Sequence, residues 1–281
     1  MTGRPDPAVT LRPLTSPEDF AAGVELQRAT WGESFAEAVP GSILKICQKV
    51  GGVAAGAFAA GEPGGDGGAG GEERLLGFVF GLTGVRYGRL AHWSHMLAVL
   101  PAARDLGLGT RLKLYQRDLL LPLGVESVYW SFDPLEARNA HLNLHRLGGE
   151  IEEYVEEMYA DEMGSELAKG IGTDRLIVDW QIGGERVRRA LAGELPPGGE
   201  RFGTAPVAPP AALEELPEAP WVRIEVPANI QERKAENLEE AVAWRAATRR
   251  AFESYLGRGY RVETFYRDRA TGRCFYGLEK G

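Results

Sequence analysis

Residues 90–110, LAHWSHMLAVLPAARDLGLGT, decide how the rest of the chain is interpreted. Leu90–Val99 is interpreted as a β-strand whose side chains point alternately to two faces, and Pro101 ends it. Gly107 and Gly109 then open an amphipathic helix. Glycines at alternate positions let the backbone turn tightly, and the unpaired amides of a helix start attract an anion. The stretch therefore predicts a strand, a turn and a helix whose N-terminus can hold a phosphate.

The strand contains two of the four histidines in the chain, His92 and His95. Strand alternation places them on opposite faces, His92 with Ser94 and His95 with Leu97. Histidine titrates near neutral pH, so His95 is a candidate proton acceptor. The alternative is a core histidine whose ring nitrogens are satisfied by backbone carbonyls.

The remaining sequence predicts an alternation of strands and helices. Strands are expected over 9–14, 52–60, 75–82, 125–132, 151–159 and 174–181, and helices over 16–30, 41–50, 107–121 and 135–147. The glycine-rich run Gly61–Gly71 is expected to be a mobile hairpin tip. These residues form a first domain over 1–182.

A second composition begins after residue 182. Residues 183–220 are rich in Pro and Gly and predict a linker or a long strap. Residues 221–281 predict a strand, a helix opened by Asn237 and two further strands. Such a short segment forms a marginal core alone, so we expect it to dock on the first domain or on a second copy in a homodimer.

Composition excludes several classes of protein. The 281 residues carry 32 Lys and Arg against 40 Asp and Glu, a net charge of −8, which disfavours bulk binding to nucleic acid or to an anionic membrane. The two cysteines cannot form a disulfide framework or a zinc site by themselves, and no metal is expected. No apolar run approaches the length of a membrane span, so a cytoplasmic protein is expected by default.

The glycine motif is compatible with more than one nucleotide-like ligand. A dinucleotide-binding fingerprint needs a third glycine three residues after Gly109, where Leu112 and Lys113 stand. Dinucleotide binding is therefore disfavoured.

Two motifs resemble the GCN5-related N-acyltransferase superfamily. Arg104-x-x-Gly107-x-Gly109 matches its coenzyme A motif, and Asn139-Ala140 with Leu147-Gly148 is similar to its next helix. The resemblance extends over about two thirds of the chain. It implies an α/β fold with a mixed, mostly antiparallel sheet flanked by helices, and an acyl-CoA co-substrate.

The resemblance also implies the site residues. The cofactor would be held by the strand backbone, by the turn and helix start, and by an asparagine, which here are Leu97, Ala98, Val99, Arg104, Leu106, Gly107, Leu108, Gly109, Thr110 and Asn139. The strand 95–99 is similar to that of arylalkylamine N-acetyltransferases, where histidines relay the amine proton. Trp93 replaces the first of those histidines, which leaves His95 as the base.

The usual tyrosine acid of the superfamily is missing, because Leu144 occupies its position. Either the thiolate leaves without a donor, or Tyr154, Tyr159 or His145 substitutes, and Tyr154 is the residue we select. The implied reaction is direct transfer of an acetyl or other small acyl group, succinyl included, to a primary amine such as an amino acid. The alternative is a non-catalytic acyl-CoA-binding or partner-binding module with a degenerate site.

Overall fold

The structure is a computed structural model that describes residues 9–61, 71–159, 165–209 and 215–281. Residues 62–70 of the predicted hairpin tip lie outside the described residues. The chain divides into two compact units, Met1–Val128 and Tyr129–Gly281. None of the described helices is both long and apolar enough to cross a membrane.

The first unit is built from strands that pair antiparallel with their neighbours along the chain. Its elements are β1 (Val9–Pro13), α1 (Pro17–Trp31), α2 (Gly41–Lys49), β2 (Val53–Gly61), β3 (Gly71–Arg86), β4 (Arg89–Val99), a 3₁₀ turn (Pro101–Leu106) and α3 (Leu108–Leu120). Ser16 caps α1: its hydroxyl accepts from the Asp19 amide, and the Asp19 carboxylate accepts from the Ser16 amide. Phe20 and Leu44 bring α1 and α2 onto an apolar cluster with Phe78 and Phe80 of β3.

The second unit begins within β5 (Ser127–Phe132). Its further elements are α4 (Ala137–Ala140), a π-helix (His141–Arg146), β6 (Glu150–Val155), β7 (Arg175–Gln181), α5 (Glu185–Leu191), α6 (Gly198–Phe202), β8 (Trp221–Val226), α7 (Ile230–Glu236), α8 (Leu238–Gly257), β9 (Tyr260–Arg267) and β10 (Cys274–Lys280). Asn237 caps α8, as predicted, by accepting the Glu240 amide.

The strands form two sheets. One has seven strands in the order β1-β2-β3-β4-β5-β7-β6, and the other has three in the order β8-β10-β9. The described strand-pair registers are antiparallel. The predicted fold class, a mixed and mostly antiparallel α/β sheet flanked by helices with a small C-terminal α/β segment, is confirmed.

The predicted helix over 135–147 is wrong in its form. Only four residues are α-helical, and the chain then widens into a π-helix in which the Leu147 amide donates to the Leu142 carbonyl. The wider turn keeps both Leu144 and Leu147 buried. π-Helical turns are uncommon and often occur at functional sites.

The proline-rich stretch packs on the three-stranded sheet over part of its length. A side chain on Gly277 would meet the ring of Phe202 at 2.7 Å, and one on Gly198 would meet Tyr266 at 2.7 Å. Both glycines therefore allow close approach of the strap to β9 and β10. The sequence analysis offered a linker or a long strap for this stretch, and residues 198–209 form a strap on the sheet.

Candidate functional site

Strand β4 contains a β-bulge at the predicted base. Phe80 pairs with Met96 and Leu82 pairs with Trp93, so that Ser94 and His95 both stand opposite the single residue Gly81. A bulge re-aims side chains and often lies next to an active site. Alternation is broken as a result: His92 and Ser94 bond to α3, whereas Met96 joins the apolar cluster of α1 and α2.

His95 lies half-buried within this bulge. Its ring packs edge-on against Phe80 with 6.0 Å between the ring centroids. Burial lowers its pKa from 6.5, and the charge of Glu37 partly opposes that shift. The imidazole is therefore neutral at physiological pH, which is the form that can accept a proton.

His92 is fully buried and held at both ring nitrogens. The Thr83 hydroxyl donates to the Gly51 carbonyl at 2.6 Å, so it accepts from His92 Nδ1 at 2.9 Å. His92 Nε2 then accepts from the Gln116 amide at 3.0 Å. His92 is therefore a core histidine with satisfied ring nitrogens, the structural role that the sequence analysis gave as the alternative for His95.

A lysine that the sequence did not single out as functional lies beside the bulge. Lys113 of α3 is 2% exposed and donates to the Ser94 hydroxyl at 2.8 Å. Burial lowers the pKa of Lys113 well below its usual value. Nothing in the helical spacing of α3 distinguishes this lysine from a solvated one.

The predicted cofactor residues follow the bulge in one continuous run. Leu97, Ala98 and Val99 pair with Val79, Phe78 and Gly77 of β3. The backbone of Arg104 and Leu106 then forms the 3₁₀ turn. The side chain of Arg104 lies outside the described part of the structure.

The start of α3 has the features of an anion-binding helix terminus. Gly107 adopts the left-handed conformation, with φ 65° and ψ 16°, and a Cβ there would meet no atom within 4 Å. None of the described side chains caps the helix, and its first turn, Leu108–Thr110 with Gly109 at its centre, carries no acidic residue. The turn is therefore open, with its amides available to an anion, and these residues fit a phosphate-bearing co-substrate.

The other two predicted site residues, Asn139 and Tyr154, belong to the second unit. Asn139 is exposed on α4, and Leu144, at the position of the missing acid, is 1% exposed. Of the candidate substitutes for that acid, Tyr159 bonds to the Ser131 hydroxyl at 2.9 Å, and the His145 ring stacks on His141 at 5.0 Å.

Tyr154 is held by a carboxylate. Its hydroxyl donates to Asp174 at 2.5 Å, and its ring stacks on Phe252 with 5.5 Å between centroids. Burial and the neighbouring Asp174 raise the pKa of Tyr154 above its usual value. Proton donation by Tyr154 to a substrate would require this hydrogen bond to break.

Two arginines of α8 bind buried carboxylates. Arg245 is 4% exposed and donates to Asp133 at 2.6 Å, while Arg249 binds both carboxylate oxygens of Asp174, at 2.6 and 2.8 Å. Burial opposes ionisation of Asp174, but the hydrogen bonds from Arg249 and Tyr154 outweigh it and lower its pKa. Helical periodicity places Arg245 beside the buried stripe, but only the partner carboxylates explain its burial.

Cys47 has no features of a nucleophile. It is buried and donates to the Leu44 carbonyl, and burial raises the pKa of its thiol to about 11. A thiol in this environment is not ionised at neutral pH.

No protein-family model and no curated protein matches the chain. Among solved structures, it is similar to the ribosomal-protein-S18-alanine N-acetyltransferase of Escherichia coli at 18% identity, covering 62% of this chain and 94% of that one, with a TM-score of 0.42. An aminoglycoside 6'-acetyltransferase type Ii has 17% identity to this chain. The match covers 62% of this chain and 96% of that one, with a TM-score of 0.43. The NatC complex bound to Gag peptide and CoA has 17% identity to this chain. The match covers 62% of this chain and 98% of that one, with a TM-score of 0.46. The chain's own seven-stranded, mostly antiparallel sheet flanked by helices is the fold class that the sequence resemblance implied.

Proposed function

We propose that the chain is an acyl-CoA-dependent N-acyltransferase of the GCN5-related superfamily. It would move an acetyl or other small acyl group, succinyl included, to a primary amine such as an amino acid. The observation that carries the proposal is the continuous run in the first unit from the bulge at His95 to the open helix start at Gly107. One stretch of backbone thus supplies both a neutral base and an anion site.

The co-substrate would supply a thioester carbonyl activated for attack. The amides at the start of α3 hold its phosphates by local dipoles, which needs no positive net charge on the protein. His95 accepts the proton that the amine loses as its nitrogen forms the new C–N bond. The C–S bond breaks, and the electron pair leaves with the thiolate. The buried, protonated Cys47 supports direct transfer without an acyl-enzyme.

The His95→Gln variant tests the base. We expect it to lower kcat/KM by about 10²- to 10⁴-fold, because Gln cannot accept the proton, with CoA affinity unchanged. The measurement is release of free CoA thiol from acetyl-CoA and succinyl-CoA across a panel of amino acids. Wild-type activity should rise with pH with a midpoint below pH 6.5, since the pKa of His95 is lowered from that value.

The control for this variant is His141→Gln, the same change at an exposed histidine of the π-helix. Equal activity of His95→Gln and wild type would rule out His95 as the base. Tight CoA binding without thiol release for any amine would instead favour the non-catalytic acyl-CoA-binding module, which the apolar Leu144 at the acid position already suggests.

Tyr154 is the proposed proton donor to the departing thiolate. A thiol pKa near 8.5 lets the thiolate leave without a donor, and the Tyr154 hydroxyl is engaged by Asp174. We therefore expect Tyr154→Phe to lower kcat less than His95→Gln does. A loss as large as that of His95→Gln, in a variant that unfolds at the wild-type temperature, would contradict this ranking.

A further inference from the structure

The second unit contains a cavity that the proposed reaction does not use. Its volume is about 230 Å³, and it lies among the π-helix, α5, the segment 195–202 and β9. Four cationic or basic side chains line it: His145, Arg186, Arg189 and Arg201. The carboxylate in its lining is Glu263. In a protein with a net charge of −8, this is an unusual local excess of donors.

Arg186 is only partly satisfied in this cavity. One terminal nitrogen donates to the Glu263 backbone carbonyl at 2.6 Å, and the other lies 3.9 Å from the Glu263 carboxylate. Its Nε is buried and has no hydrogen-bond partner among the described residues. The Arg186 guanidinium, which lines the cavity, therefore has hydrogen-bonding capacity that the described residues do not use.

Arg189 and Arg201 differ in how their charges are compensated. Arg189 contacts only a carbonyl, that of Glu194 at 3.3 Å, and forms no ion pair with a carboxylate in the described part of the chain. Arg201 is paired with Glu279 at 2.5 Å and lies over the ring of Trp221 at 5.3 Å. Among the described residues that line the cavity, the arginine without a carboxylate partner is therefore Arg189 of α5, while Arg186 has only the 3.9 Å contact with Glu263.

We propose that this cavity is a binding site for a small anion with a carboxylate or phosphate group, held by Arg186 and Arg189. Guanidinium groups present paired donors that match the oxygens of either group. Leu144 and Phe202 add an apolar wall against which a short carbon chain would pack. The cavity volume of about 230 Å³ is large enough for a small carboxylic acid or a phosphate ester.

The experiment is titration of the full-length protein with inorganic phosphate and, separately, with succinate, at constant ionic strength set by chloride. Heat of binding and Trp221 fluorescence are followed together, since Trp221 stacks against Arg201. Arg189→Gln is the main variant because its side chain makes no ion pair that the fold depends on, and Arg186→Gln is the second. Arg188→Gln is the matched control, an exposed arginine on the same helix that pairs with Glu185 outside the cavity.

Saturable binding of either probe that weakens roughly tenfold in Arg189→Gln and Arg186→Gln but not in Arg188→Gln would support the site. The probe that binds tighter identifies the group as carboxylate or phosphate. Failure of both probes to bind above the chloride background would overturn the proposal, as would equal binding by all three variants. Binding is read without acyl transfer, so its outcome is independent of the proposed enzyme activity.

Discussion

His92 is a titratable residue that is fully buried. Its ring donates to Thr83 and accepts from Gln116. Burial, with a further contribution from the charge of Lys113, lowers the pKa of His92 from 6.5 to about 3. The folded protein therefore excludes a proton that the unfolded chain binds readily.

We expect the stability of the protein to fall in acid partly through His92. Below pH 6.5 the unfolded chain gains a proton at His92, while the folded chain does not until about pH 3. The stability contributed by the neutral ring is complete above pH 6.5 and is lost as the pH falls towards 3. For one such group the loss approaches about 1.4 kcal/mol per pH unit.

Urea unfolding of wild type and His92→Gln between pH 7.5 and 4.5 would measure this, because the variant lacks the titrating ring. Its free energy of unfolding should change less steeply with pH. Identical pH slopes for the two proteins would contradict the assignment. Ring-nitrogen NMR of the wild type at pH 5 is an independent check, since His92 should still be neutral there.

The roles of the two strand histidines were predictable only in part. Alternation separated His92 from His95, and the sequence resemblance, not alternation, selected His95 as the candidate base. The bulge was not predictable, because it depends on Gly81: a Cβ there would lie 2.1 Å from His92 Nε2 and 2.6 Å from the Trp93 carbonyl. A glycine in a strand can signal a bulge, but β3 also contains Gly77 and Gly84.

At the scale of elements, helix α8 joins the C-terminal segment to residues 133–174 through charges. Arg245 reaches Asp133, whose other oxygen accepts the Leu135 amide in the turn that leads to α4. Arg249 reaches Asp174 at the start of β7. This helix thus fixes the turn before α4, the helix that carries Asn139.

We expect Arg245→Met to destabilise the protein by about 3 kcal/mol, because it leaves Asp133 buried with a weakened partner. Arg175, 3.8 Å from the same carboxylate, retains part of the compensation. Chemical denaturation gives the change in the free energy of unfolding. Adding Asp133→Asn should recover part of the loss, since Asn keeps an acceptor for the Leu135 amide.

The control is Arg233→Met, which removes an exposed pair with Glu236 on α7. Exposed pairs contribute about 0–1 kcal/mol, so this variant should unfold close to wild type. If Arg233→Met and Arg245→Met lowered the free energy of unfolding equally, the buried pair would contribute no more to stability than the exposed pair.

The sequence predicted where helices lie in the chain more accurately than it predicted whether they are α-helices or π-helices. The spacing of Leu108 and Leu112 with the glycines before them placed α3 to within a residue. The same reasoning gave an α-helix over 135–147, where the structure has a π-helix after Ala140. Both forms bury Leu144 and Leu147, so hydrophobic periodicity could not separate them.

On the scale of the whole molecule, the expected docking of the C-terminal segment on the first part of the chain is confirmed within the second unit. Phe252 stacks on Tyr154, and the buried Tyr276 hydroxyl donates to the Pro134 carbonyl at 2.8 Å. Sequence reasoning anticipated docking from the small size of the segment. It could not identify the surface, because aromatic packing and ion pairs depend on positions far apart in sequence.

We therefore expect the chain truncated after residue 182 to lose cooperative unfolding. Truncation exposes the ring of Tyr154 and leaves Asp133 and Asp174 without their arginines from α8. Near-ultraviolet circular dichroism during urea unfolding would detect the loss of fixed packing. A truncated protein that unfolds cooperatively at the wild-type midpoint would establish 1–182 as an independent domain; coexpression with residues 183–281 is the control for rescue.

The contacts of Asp133 and Asp174 also limit how this chain can change over generations. Each carboxylate lies in the region that resembles a widespread fold, yet each is bonded to an arginine more than seventy residues later. A recombination event that replaced the C-terminal segment alone would leave the buried carboxylates of Asp133 and Asp174 without their arginine partners. The last hundred residues and the strands they cover should therefore be inherited together, and the paired acids and arginines should vary together among descendants.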